Sequence, residues 1–222
     1  MRFVFLLVVA FGLVDPQPSC AQARPSEGAL TGRIEFQAGY FDGEDNPVAN
    51  ESLPSEVLLR LSFFAGQIAG RVDPSQTVSI PAHIGVTTTL DLAGIRTRAE
   101  QSAAILTREA TEAGLVTTPK ETRVARMATV VVNPETKKGV GGATFRNRAT
   151  HESLIVVYFD RPCHLTGVVH AQNNEVTYGV SVGEAGLQLL KIAKEASTRY
   201  RVTASNVPKD ISLRILPRIG TQ

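Results

Sequence analysis

The sequence predicts a mostly β protein: an antiparallel β-sandwich of the immunoglobulin-like sort, two of them in tandem, joined by one helix. Three observations point there. Residues 154–192, LIVVYFDRPCHLTGVVHAQNNEVTYGVSVGEAGLQLLKI, read as successive core-forming strands. Short apolar runs recur elsewhere between glycine and proline turns, as sandwiches require. The two halves also echo each other: Phe63-Phe64 and Gly70 resemble Tyr158-Phe159 and Gly167, and Leu90-Asp91-Leu92 parallels Leu187-Gln188-Leu189 at the same offset as the glycines.

The first residues read as an address rather than as fold. Arg2 precedes the apolar run Phe3 to Val14, and Ala21-Gln22-Ala23 is a small-x-small cleavage pattern, so residues 1–23 form a secretory signal peptide. The run falls short of the about 20 apolar residues that cross a bilayer. The mature chain is therefore expected in a secreted or periplasmic location, without a transmembrane segment. Lipoprotein anchoring at Cys20 is the alternative, although Gln17-Pro18-Ser19 lacks the apolar residue expected three places before the cysteine. Cleavage after Ala23 removes Cys20 and leaves Cys163 as the one cysteine, so no internal disulfide forms and burial must carry the stability.

In chain order, Leu30 to Gln37 alternates cleanly, with Leu30, Gly32, Ile34 and Phe36 on one face. A long acidic loop runs from Ala38 to Pro54. Strands follow at Val57 to Phe64, Gln67 to Val72, Gln76 to Ile80 and Val86 to Leu92, with turns at Asp73-Pro74-Ser75 and Pro81. From Ile95 to Leu115 the period changes: Ile95, Ala99, Ala103, Leu106, Ala110 and Ala113 recur at steps of three and four. Thr97 with Glu100 fits a capping box and Gly114 a helix stop, which predicts a helix centred on 96–113. That helix closes a first domain, residues 24–118, and a second follows over 119–222.

In the second half, strands are predicted at Ala128 to Val132, Gly142 to Arg146, Leu154 to Phe159, Cys163 to Ala171 and Glu175 to Val182. Val176, Tyr178, Val180 and Val182 share the dry face of the last of these. Leu187 to Ala196 fits a short helix or another strand. Tyr200 to Ala204 and Ile211 to Leu216 complete the sheet.

No motif completes a reactive centre. Gly179-Val180-Ser181-Val182-Gly183 matches the G-x-S-x-G nucleophile elbow, but in that fold the histidine follows the serine, and here the last one is His170. The plain reading is a strand end with a solvent-facing serine. His164 and His170 share a strand face but lie some 20 Å apart at about 3.3 Å per residue, and Cys163 points the other way. His83 and His151 stand beside turns, so the histidines and Cys163 make no metal set. Asp42, Glu44 and Asn46 alternate as oxygen donors, yet no downstream acid completes a calcium loop. Lys138-Gly139-Val140-Gly141-Gly142 lacks the ending of a phosphate cradle and reads as a turn. Asn50-Glu51-Ser52 fits a glycosylation acceptor.

The net charge is +2, its densest positive spots are Lys137-Lys138 and Arg146 with Arg148, and there is no tryptophan. Nucleic acid is not an expected partner. What remains is a non-catalytic exported module, with no cofactor, that binds an unknown protein or polymer or serves as a structural unit. The alternatives are an exported hydrolase with dispersed residues, in which Ser181 or a pair of carboxylates would matter, and a subunit that assembles by pairing edge strands.

Overall fold

The computed structural model describes residues 29–42, 46–48, 53–66, 77–171 and 173–217. The expected leader, the strand expected at 67–72 and the sequon at Asn50 lie outside them. Of the acidic loop, 43–45 and 49–52 also lie outside. No helix among the described residues is long and apolar enough to cross a membrane.

The first half contains β1 (Arg33–Tyr40), β2 (Glu56–Ala65), β3 (Val78–His83), β4 (Thr87–Asp91), α1 (Leu92–Ser102), β5 (Ala104–Ile105), α2 (Arg108–Glu112) and β6 (Val116–Thr118). The second contains β7 (Arg123–Val132), β8 (Gly139–Asn147), β9 (Ser153–Phe159), β10 (Cys163–Ala171), β11 (Asn174–Val182), β12 (Gly186–Lys194), β13 (Arg199–Ser205) and β14 (Ile211–Pro217). The protein is mostly β, and among the described residues the strands join into one large unclosed sheet. Its order is β4-β1-β14-β8-β7-β9-β12-β13-β11-β10-β6, with β2 also on β7, β3 on β2 and β5 on β7. Most neighbours run antiparallel, but β1 with β14 and β11 with β13 are parallel.

The alternation expected in β1 holds for buried Ile34 and Phe36 beside water-facing Arg33 and Glu35, but the strand runs on through buried Ala38 and Tyr40, where the loop was expected to begin. Pro81 does not end a strand but lies inside β3, opposite Leu58. Among the described residues β3 pairs only with β2, and an edge strand has a side on which a missing N–H costs nothing.

The single helix expected near 96–113 is two shorter ones. Asp91, not Thr97, caps the first, its carboxylate accepting from the Ala93 N–H at 3.1 Å. Thr97 instead donates its hydroxyl to the Ala93 carbonyl. Ile95 and Ala99 keep the expected buried face, joined by Leu92, which was expected to end a strand. The helix ends because tertiary bonds outcompete it. The Arg123 Nε donates to the Ala103 carbonyl at 2.9 Å, and Ala104 and Ile105 pair with Val124 and Arg123. Thr107 then caps α2 through Ala110 N–H, and Gly114 turns the chain at φ 101.

Two apolar clusters hold the sheet. The first gathers Ile34, Phe36, Leu59, Leu61, Leu90, Ile95, Met127, Tyr158, Leu187 and Leu213; the second gathers Leu115, Val157, Phe159, Cys163, Leu165, Val180, Leu190 and Val202. β7, β9 and β12 serve both, with Val156, Tyr158 and Leu189 facing one cluster and Val157, Phe159 and Leu190 the other. Burial on both faces explains why 154–159 reads as a continuous apolar run. It also explains why Leu187 to Ala196 could be read as a short helix or as a strand; most of that segment is strand β12. Each of these side chains contributes on the order of 1.5–3 kcal/mol by leaving water.

Candidate functional site

β10 and β11 form a hairpin whose register pairs Cys163 with Val182, His164 with Ser181 and Ala171 with Asn174. Alternation sends Cys163, Leu165, Val180 and Val182 into the second cluster and turns His164 and Ser181 outward. Ser181 Oγ lies 2.7 Å from His164 Nδ1. The serine is the penultimate residue of β11, and the chain continues from Gly183 into another strand, where the nucleophile elbow would need a helix. An imidazole beside a hydroxyl can take its proton, but acyl transfer also needs a group orienting the imidazole and donors for the oxyanion. Among the described residues the His164 imidazole has no other hydrogen bond or ion pair; its strand neighbour on the far side is Thr118.

Cys163, one residue away, faces the interior. Burial pushes its thiol up to about 11, against a smaller opposing effect of its hydrogen bond with Thr122. A thiolate is the reactive form, so native protein is expected to leave a disulfide reagent unreacted at pH 8 and to react fully in denaturant. Burial likewise pushes the Tyr40 hydroxyl up to about 12, and that hydroxyl donates to the Pro54 carbonyl at 2.8 Å. Both groups keep protons in the folded state that the unfolded chain releases at lower pH. Stability is therefore unaffected by them below the ordinary thiol value and falls as pH climbs through about 9 to 12. Denaturation midpoints measured across that window check the sign.

The other expected positions are scattered. His83 is exposed on β3 and His170 on β10, opposite Glu175. Among the described residues no group of three or more His, Cys, Asp or Glu side chains is placed to hold a metal. Asp42 accepts from the Asn46 backbone N–H at 2.9 Å and from its Nδ2 at 3.0 Å, which turns the Asn46 amide into a donor toward Asp42. The glycine run 139–142 opens β8 after a turn in which Asn133 Oδ1 accepts from Glu135 and Thr136 N–H. Gly141 is also a point of close approach: an added Cβ would overlap the Leu216 carbonyl.

The concavity with concentrated charge was not visible in any motif. A cleft of about 280 Å³ is lined by Phe41, Arg146, Asn147, Arg148, His151, Ser212 and Arg214. Its construction follows from strand alternation. β8 and β14 pair Arg146 with Ser212 and Phe145 with Leu213. With Phe145, Leu213 and Ile215 inward, Arg146, Ser212 and Arg214 all face outward on the same side. Arg214 is only 9% exposed, because the Phe41 ring stands 5.7 Å from its guanidinium and the Asp42 carbonyl accepts from its Nη2.

The turn after β8 supplies the rest. Asn147 Oδ1 accepts from Ala149 N–H at 3.0 Å, and His151, in the left-handed region at φ 57, donates its N–H to the Asn147 carbonyl at 2.8 Å. Arg148 is steadied by Asp210 at 3.4 Å from its Nε and by Gln37, which accepts from Nη2. The nearby Glu152 is drawn away to Lys191 at 3.1 Å. Arg146 and Arg214 have protein partners too, but a guanidinium carries five N–H donors, so an anchored one still presents others. Guanidinium forks are the side chains whose geometry matches carboxylate and phosphate oxygens. Arg146 and Arg148 were legible as a dense positive spot. Arg214, from the far end of the chain, was hidden, although its place between inward Leu213 and Ile215 marks it as outward. No family model, curated protein or solved structure matches this chain.

Proposed function

We propose that this chain is an exported, non-catalytic binding module of sandwich-like build that takes the oxyanion of a ligand into the arginine cleft. The observation that carries this is the convergence of Arg146, Arg148 and Arg214, from two strands and a turn, on one hollow. Export rests on the leader pattern at residues 1–23. The Ser181–His164 pair favours catalysis less, since it stands on the outward face of a strand pair with no orienting carboxylate bonded to His164 among the described residues.

The test is titration with inorganic phosphate followed by amide and arginine Nε–H NMR. Resonances of residues 146–151 and 212–214 are expected to shift saturably at low salt and to weaken as ionic strength rises, because exposed charge attraction is screened over about 10 Å at 0.1 M salt. Shifts spread over the whole surface, or none in this set, would refute the cleft.

A further inference from the structure

A second hollow adjoins the cleft. It measures about 140 Å³ and is lined by Glu35, Phe36, Gln37, Thr87, Arg148, Lys209, Asp210 and Ile211. Arg148 belongs to both hollows. Bonded to Asp210 on one side and Gln37 on the other, it stands as the septum between them. The two hollows differ in charge. The first has three guanidiniums and no carboxylate in its lining. The second balances Arg148 and Lys209 against Glu35 and Asp210 and adds the Thr87 hydroxyl and the Gln37 amide.

A hollow of balanced charge that offers donors and acceptors together suits a neutral, hydroxyl-rich group, since hydroxyls both donate and accept. Joined to an oxyanion receptor, it describes a ligand with an anionic unit beside a polyol unit. A nucleotide fits less well, because its base needs an aromatic face to stack on and the Phe41 ring is already engaged by the Arg214 guanidinium. We infer that the two hollows form one site for an acidic sugar chain, with the oxyanion over Arg146, Arg148 and Arg214 and a neighbouring sugar ring over Thr87, Lys209 and Asp210. This rests on the oxyanion reading of the cleft and adds the class of ligand.

Calorimetric titration of the mature chain tests it, with galacturonate, digalacturonate, glucose 6-phosphate, cellobiose and adenosine monophosphate as probes. Two linked subsites make the second contact intramolecular, so digalacturonate is expected to bind about tenfold or more tighter than galacturonate, with cellobiose undetected. Glucose 6-phosphate against galacturonate shows whether phosphate or carboxylate is the preferred oxyanion, and either preference supports the site if the sugar-bearing anion outbinds inorganic phosphate. The exposed pair Thr87→Val with Lys209→Ala should lower digalacturonate affinity to that of galacturonate; an unchanged digalacturonate affinity would remove the sugar subsite.

If digalacturonate gains nothing over galacturonate while phosphate still binds, the sugar-chain inference fails and the oxyanion cleft stands. The same holds if adenosine monophosphate binds tightest. If no anion binds, the cleft reading itself fails.

Discussion

Replacing Gly167 by alanine is expected to cost about 3–5 kcal/mol of stability and to be among the most damaging single changes of one methyl group in the molecule. Gly167 lies at φ 134, where side chains other than hydrogen are strained. A Cβ there would overlap the Gly114 carbonyl oxygen and stand 2.9 Å from its carbon and 3.1 Å from Leu115 Cα. The opposing residue is built alike: Gly114 is at φ 101, and a Cβ on it would come within 2.6 Å of the Val168 carbonyl oxygen. The two glycines let the segment after α2 lie against β10 and deliver Leu115, fully buried, to the second cluster. Relieving the overlap withdraws Leu115, so strain and a cavity add. Gly94→Ala is the matched control, since it is exposed in α1 with nothing within 4 Å of the added carbon. There alanine should stabilise by about 0.5–1 kcal/mol through helix propensity. Urea denaturation of both variants decides it: equal midpoints would mean that β10 and the Gly114 segment are not in contact.

Arg146→Glu is expected to weaken oxyanion binding by at least about 100-fold, equivalent to about 2.7 kcal/mol. The substitution removes one fork and sets a carboxylate against the incoming anion, between Arg148 and Arg214 in the same lining. Arg146 is half-exposed on the outward face of β8, so the sheet need not rearrange to accept the change. Arg108→Glu, on exposed α2, makes the same change of net charge elsewhere. Phosphate titration of the two variants separates a local receptor from a general attraction: comparable losses in both would sink the cleft.

How much could be read from the residues alone follows from what each feature depends on. Strand phase depends on a period of two and was legible: Val180 and Val182 are buried, and Val176 and Tyr178 pack partly buried beside them, as expected. The partnership of His164 with Ser181 depends on the register between two strands that were both foreseen; alternation alone does not give it. The split helix depends on Arg123 and β7 reaching Ala103 to Ile105, contacts that local propensity does not contain. The arginine cleft depends on strand order, with β1 lying parallel to β14 from the opposite end of the chain. Composition could mark Arg146 and Arg148 as dense charge but not place Arg214 beside them.

The unclosed sheet also bears on how the molecule behaves when crowded. A strand with a vacant flank invites another polypeptide to continue the ladder. Among the described residues β3, β4 and β6 have such flanks, and Pro81 interrupts the donors of β3. Beside β6, only three residues long, Val116 is 42% exposed and Val168, just past the last β6–β10 pair, is 40% exposed. If copies of this chain stack as concentration rises, the exposed valines make that seam where fibre growth begins.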